Sequence, residues 1–176
     1  GLYNGDITRT YPASGHFSEE QRAVYDVVDG ARTAAISVAQ PGATIADVHA
    51  AATVVIVDGL VTLGVLSGDR DDLIEQGVHK AFFPHQTSHW LGLDLHDPGD
   101  YTRGGASRVL EPGMVFTVEP GLYFRPELSK GGAARYSGIG VRIEDDVLIT
   151  ADGNEVLTAG LPTAAEDMEA MLAGEE

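Results

Sequence analysis

The chain contains no cysteine among its 176 residues. Disulfides, iron–sulfur clusters, thiolate zinc sites and a cysteine nucleophile are therefore excluded. Any bound metal must be held by histidine and carboxylate, a donor set that suits manganese, cobalt, iron or zinc. Positive charge is scarce as well: 11 Lys and Arg stand against 27 Asp and Glu, for a formal net charge of -16. A surface of that sign repels phosphate backbones, so nucleic acid is not an expected partner. Long apolar runs are also missing. The most apolar stretch, residues 50–66, is broken by Asp58, Gly59 and Gly64 and is short for a membrane span. No secretory signal pattern is visible. The expectation is a cytoplasmic protein with no membrane partner.

Apolar content is ordinary, and the length suffices for one domain with a sizeable core, taken to run over 1–176. Residues 1–12 alternate in part between Thr, Ile and Tyr and predict a strand, ended by Pro12 and Gly15. Ser18 followed by Gln21 is a capping box, and a helix is expected to about Val38. Its apolar positions Val24, Val27, Val28, Ala31, Ala35 and Val38 recur at helical spacing. Thr44 opens a second helix with Ile45, Val48, Ala52, Val55, Ile56, Leu60 and Leu63 on one side. A short helix over 69–76 closes at Gly77. Strands and turns follow, with 131–137 as a loop, until a last acidic helix over 164–172. Such segregation predicts an α+β fold with an antiparallel sheet.

Several blocks place a His or a carboxylate beside glycine or inside an apolar run, where a charge is costly unless neutralised. Glu-Pro-Gly occurs twice, at 111–113 and 119–121. Glu111 precedes a turn and reads as an exposed residue. Glu119 ends the apolar run from Met114, where a strand leaves the core, and is the better site candidate. In Val141-Arg142-Ile143-Glu144, a period of two puts Arg142 and Glu144 on one face. They are either a same-face ion pair or a ligand with an arginine that orients it. His89 lies between Ser88 and Trp90, four residues after His85. That spacing suggests a helical zinc motif, but Gln86 stands where the motif needs its Glu, and Pro84, Gly92 and Pro98 oppose a helix. On an extended chain His85 and His89 point one way and His96 the other, unless a bend intervenes. His16, His49 and His79 lack supporting neighbours and read as surface residues. Asp6 alone would be a turn residue. Taken together, Asp6, His89, Glu119 and Glu144 suit a pair of divalent ions bridged by carboxylates, which would activate water and polarise a carbonyl such as that of a peptide bond.

At these residues the chain resembles the metallopeptidases of pita-bread fold, and most closely the Xaa-Pro aminopeptidases. The blocks that carry the resemblance are Gly5-Asp6-Ile7-Thr8-Arg9-Thr10, Ser88-His89-Trp90-Leu91-Gly92-Leu93-Asp94 and His96-Asp97, then Leu110-Glu111-Pro112-Gly113-Met114, Val118-Glu119-Pro120-Gly121-Leu122-Tyr123 and Gly138-Ile139-Gly140-Val141-Arg142-Ile143-Glu144-Asp145-Asp146. The resemblance implies that Asp6 and Glu144 bridge two metals and that His89 and Glu119 complete the shell of one. It implies that His85 and His96 line the substrate site and that Arg142 supports Glu144. Manganese is the implied metal, with cobalt or zinc as substitutes. The implied reaction releases the N-terminal residue of a peptide with proline in second position. A metal-bridging hydroxide would attack the carbonyl while Glu119 carries its proton.

The resemblance also sets out departures and alternatives. The family has a further Asp ligand on a preceding strand and a substrate-site His before it, so the chain is expected to be the C-terminal catalytic portion of such a protein. On that expectation it is inactive and poorly stable alone, and associates with the missing N-terminal part or with further copies of itself. Gln86 replaces a glycine common after the substrate His. A prolidase acting on dipeptides shares the site; creatinase-like and methionine aminopeptidase readings fit His96-Asp97 and Ser88-His89-Trp90 less well. A non-catalytic binding module of the same fold is expected to have lost ligands that this chain keeps.

Overall fold

The computed structural model describes residues 2–174. Ser18 starts α1 (Glu19–Val38): its hydroxyl accepts the Gln21 N–H, and the Gln21 side chain accepts the Ser18 N–H in return. Thr44 and Asp47 form the same reciprocal pair at the start of α2 (Ile45–Thr62). Each cap satisfies amides that the first helical turn leaves unpaired. The two helices pack along Val24, Tyr25, Val28 and Ala31 of α1 and Val48, Ala52, Ile56 and Leu60 of α2, all buried. A Cβ at Gly59 would fall 2.4 Å from a methyl of Val27, so the helices cross where one has no side chain. By length and composition α2 could cross a membrane; in this fold its apolar side packs into the core instead. The short α3 (Arg70–Gln76) ends at Gly77 with φ 67.

A hairpin of β1 (Thr102–Arg103) and β2 (Ala106–Ser107) follows. Next come β3 (Val115–Val118), β4 (Gly121–Tyr123), β5 (Gly140–Arg142), β6 (Asp145–Ile149) and β7 (Asn154–Val156), then α4 (Ala165–Ala173). All pairings are antiparallel, as expected, in the order β3-β6-β7 with β4 on β5. The two ladders are one path with a gap. Val118 faces Asp145 and Gly121 faces Arg142, which is a single unbroken register. Pro120 has no N–H to give, so the ladder thins there. Carried across the gap, this register sets Glu119 opposite Glu144.

Further segments flank this pair. Residues 87–91 run along β3, with hydrogen bonds from Glu119 N–H to the Thr87 carbonyl, from Thr117 N–H to the His89 carbonyl and from Leu91 N–H to the Val115 carbonyl. On the other side Thr8 bridges Glu144. The strand expected over 1–12 is otherwise absent among the described residues. Side chains replace its ladder: Thr10 Oγ1 donates to the Arg142 carbonyl, and Arg9 Nη1 donates to the Glu144 carbonyl. Opposed residues in an antiparallel sheet share a face, as do alternate residues along one strand. One face therefore carries Asp6, His89, Glu119, Arg142 and Glu144, and the other carries Arg9 and Asp145 toward α1.

Two further expectations are corrected. Residues 131–137 are not a plain loop: Gly131–Tyr136 is a 3-10 turn anchored by buried Ala133 and Tyr136. Gly132 allows it, because a Cβ there would lie 1.8 Å from the Gly64 carbonyl oxygen. His79 and His49 are not surface residues. His79 is buried in a 3-10 turn over Val78–Ala81, and His49 on α2 bonds Thr87; of these three, His16 is the one open to solvent.

Candidate metal centre

The register brings residues from four chain segments to one spot. Ligand atoms of Asp6, His89 and Glu144 lie within 4.8 Å of one another. His89 Nε2 is 3.4 Å from Asp6 Oδ2 and 3.3 Å from Glu119 Oε1. Donors bound at about 2.0–2.2 Å to one ion sit about 3–4 Å apart, so this spacing suits a shared cation.

Local contacts aim each group. His89 Nδ1 is 3.1 Å from the Trp90 carbonyl, which can only accept, so Nδ1 carries the proton and Nε2 faces the carboxylates. A lone pair turned toward carboxylate oxygens needs a proton or a metal cation between them. Thr117, two residues before Glu119, accepts the His89 N–H and donates to Glu119 Oε1 at 3.4 Å. The Thr8 hydroxyl donates to Glu144 Oε2. Asp146 accepts the Asp6 N–H at 3.1 Å.

Electrostatics point the same way. Burial pushes the Glu144 carboxyl up to about 7, opposed by the Thr8 hydroxyl and Arg142 and reinforced by the charges of Glu119 and Asp6. Asp146 is raised too, by burial first. A divalent cation would offset both penalties. The donor set, with no thiolate, fits such an ion; Asp6, His89, Glu119 and Glu144 are the residues that could hold it.

The remaining candidates form a rim. Arg142 Nη1 lies 3.5 Å from Glu119 Oε2, so its close carboxylate is Glu119 rather than the expected Glu144. His85 Nδ1–H donates to the Gln86 carbonyl, leaving Nε2 to accept the Tyr123 hydroxyl at 2.9 Å. His96 was expected on the far side unless the chain bent, and it bends. Asp97 N–H returns to the Trp90 carbonyl, Asp97 Oδ2 receives the Asp94 N–H, and the His96 ring centroid lies 4.2 Å from that of His89. Gly92 permits the loop, since a Cβ there would strike Asp97. Thr8, Thr117, Tyr123 and Asp146 escaped the sequence reading. For Thr8 and Thr117 the available signal was their position two residues from Asp6 and Glu119.

The sequence profile of metallopeptidase family M24 matches residues 1–151. The chain belongs to metallopeptidase family M24. This M24 chain is 49% identical over 170 residues to the Xaa-Pro aminopeptidase of Escherichia coli K12, covering 97% of itself and 38% of that protein. Among solved structures it superposes on Pseudomonas aeruginosa aminopeptidase PepP with a TM-score of 0.94 at 49% identity, covering 98% of itself and 39% of that chain. Proline aminopeptidase P II from Yersinia pestis gives a TM-score of 0.93 at 49% identity, with 99% and 39% covered. The M24 chain thus spans well under half the length of these relatives.

Proposed function

We propose that the protein is a dinuclear metal-dependent aminopeptidase of pita-bread fold that releases the residue preceding proline at a peptide N-terminus. The observation that carries this reading is the convergence of Asp6, His89 and Glu144, with Glu119 beside them, on one sheet face. Relatives support the substrate class: Escherichia coli aminopeptidase P has been solved with substrate and with the inhibitor Pro-Leu. That enzyme has also been solved zinc-substituted; manganese is the ion proposed for this protein.

Divalent ions held by Asp6, His89, Glu119 and Glu144 would lower the pKa of bound water and polarise the scissile carbonyl. The chain's own groups do the rest. Glu119, with Arg142 on one oxygen and Thr117 on the other, takes the proton from the attacking water and passes it to the leaving proline nitrogen. The Tyr123 hydroxyl holds the His85 ring by its Nε2 at the rim. His96 stands against His89, where it can donate to the oxyanion or the leaving nitrogen.

The test is a matched peptide series on the full-length protein with manganese, in which only the second residue changes between Pro and Ala. Cleavage of the Xaa-Pro members, with the Xaa-Ala members spared, is expected. Equal rates would remove the proline assignment, and no cleavage of either would remove the peptidase reading.

A further inference from the structure

We propose that His49 is a positioning residue, which through Thr87 sets the main-chain track that holds Glu119 and His89 in register. His49 sits on α2, and its Nδ1 lies 2.8 Å from Thr87 Oγ1. Thr87 is fully buried. Its carbonyl accepts the Glu119 N–H at 2.8 Å, the shortest of the three main-chain bonds that join 87–91 to 115–119; the others measure 3.0 and 3.2 Å. Glu119 is followed by a proline, so this bond is the last firm tie of its backbone before the ladder thins.

Threonine suits the task. A branched Cβ leaves few χ1 rotamers, so fixing the hydroxyl also fixes the backbone that bears the carbonyl. A second contact runs in parallel. The His49 ring packs 5.5 Å from Phe83, which meets His85 edge-on at 5.2 Å. The helix layer thereby meets the chain that carries His85 and His89 at two points, Phe83 and Thr87. Burial lowers the His49 pKa, with His79, His85 and Lys80 acting in the same sense. The link is accordingly a neutral hydrogen bond that brings no charge to the carboxylate cluster. A buried polar pair that served stability alone would need no connection to Glu119.

The inference rests on the metallopeptidase reading, so its test includes metal binding as well as turnover. In the full-length protein His49→Ala, Thr87→Val, the double variant and His49→Asn are compared. The Asn side chain can place a polar atom near the Nδ1 position. Manganese affinity is read by titration calorimetry, kcat and KM on an Xaa-Pro peptide, and the unfolding midpoint in urea. Each single variant is expected to weaken manganese binding and kcat by about 5- to 10-fold with KM nearly unchanged, the scale of one neutral hydrogen bond. The double variant should fall no further than either single one, and His49→Asn should recover much of the loss. A lowered unfolding midpoint with manganese affinity and kcat intact would reduce His49 to a structural role and overturn the proposal. Additive losses in the double variant would overturn the route through Thr87. If His49→Ala does not fold, Thr87→Val, which exchanges one hydroxyl for a methyl, decides alone. Absence of Xaa-Pro cleavage in the parent would sink the substrate reading, while the manganese series would still decide the role of His49.

Discussion

Arg9 Nη2 donates to Asp145 Oδ1 at 2.8 Å, with both side chains at least 96% buried. Arg32 of α1 holds the other oxygen of Asp145 at 2.9 Å. The segment bearing Asp6 is thus pinned behind Glu144 by an ion pair on the helix side of the sheet, where a regular strand would have used a ladder. Asp145→Ala leaves the buried Arg9 guanidinium without its carboxylate and Arg32 with Asp29 alone, and a loss of about 3–5 kcal/mol is expected. Urea unfolding measures it. A loss below about 1 kcal/mol would mean that Arg9 finds another partner.

The repeated Glu-Pro-Gly supplies a matched pair of variants. Glu111 is exposed in the turn before β3, whereas Glu119 meets His89, Thr117 and Arg142. Glu119→Ala should lower kcat/KM by at least about 100-fold, the range for losing a proton-transfer group. Glu111→Ala should change it by no more than about twofold, as exposed substitutions usually do. Similar losses in both variants would place the chemistry elsewhere.

How far these features could be read from the sequence depends on whether their cause was local. Ser18 with Gln21, Thr44 and Gly77 act within a turn of themselves, and the helices they bound stand where expected. Asp6, His89, Glu119 and Glu144 were nameable because each interrupts an apolar or glycine-rich block. Their convergence needs a register between segments that lie from 25 to 138 residues apart, which no local pattern carries. The side of His96 was left to a possible bend, because alternation holds only for a straight chain, and the Asp97 staple supplies that bend. His49 was given to the surface because its partner, Thr87, lies 38 residues away. The strand over 1–12 was overstated because, beyond the main-chain bridge of Thr8 to Glu144, Arg9 and Thr10 pair through side chains, and alternation cannot tell a ladder from such tethers.

His79 predicts acid sensitivity. Burial, with Lys80 nearby, holds its pKa below the usual 6.5. The unfolded chain therefore binds more protons than the folded one as pH falls through 6.5, so stability is full above that value and declines below it. His49 acts in the same sense. In urea titrations between about pH 5 and 8, His79→Gln should show a shallower decline on the acid side than the parent. Parallel curves would show that His79 contributes nothing to that limb.

Removal of metal should expose the cost of the carboxylate cluster. Glu144 is 2% exposed, and its carboxyl sits at about 7 instead of 4.5. A raised carboxylate favours the folded state when protonated. The penalty in the metal-free protein therefore builds as pH rises from 4.5 and is complete above about 7. A divalent ion at 100 times its Kd would return about 2.7 kcal/mol. Two results are expected for the full-length protein at pH 8. Chelation lowers the unfolding midpoint of the parent, and manganese restores it. Glu144→Gln, which removes both the charge and a ligand, is more stable than the chelated parent by about 1–3 kcal/mol and responds weakly to manganese. The two results test different things. A parent indifferent to chelator would deny the site a metal, whereas a Glu144→Gln protein that is less stable than the chelated parent and still gains fully from manganese would acquit Glu144 as both burden and ligand.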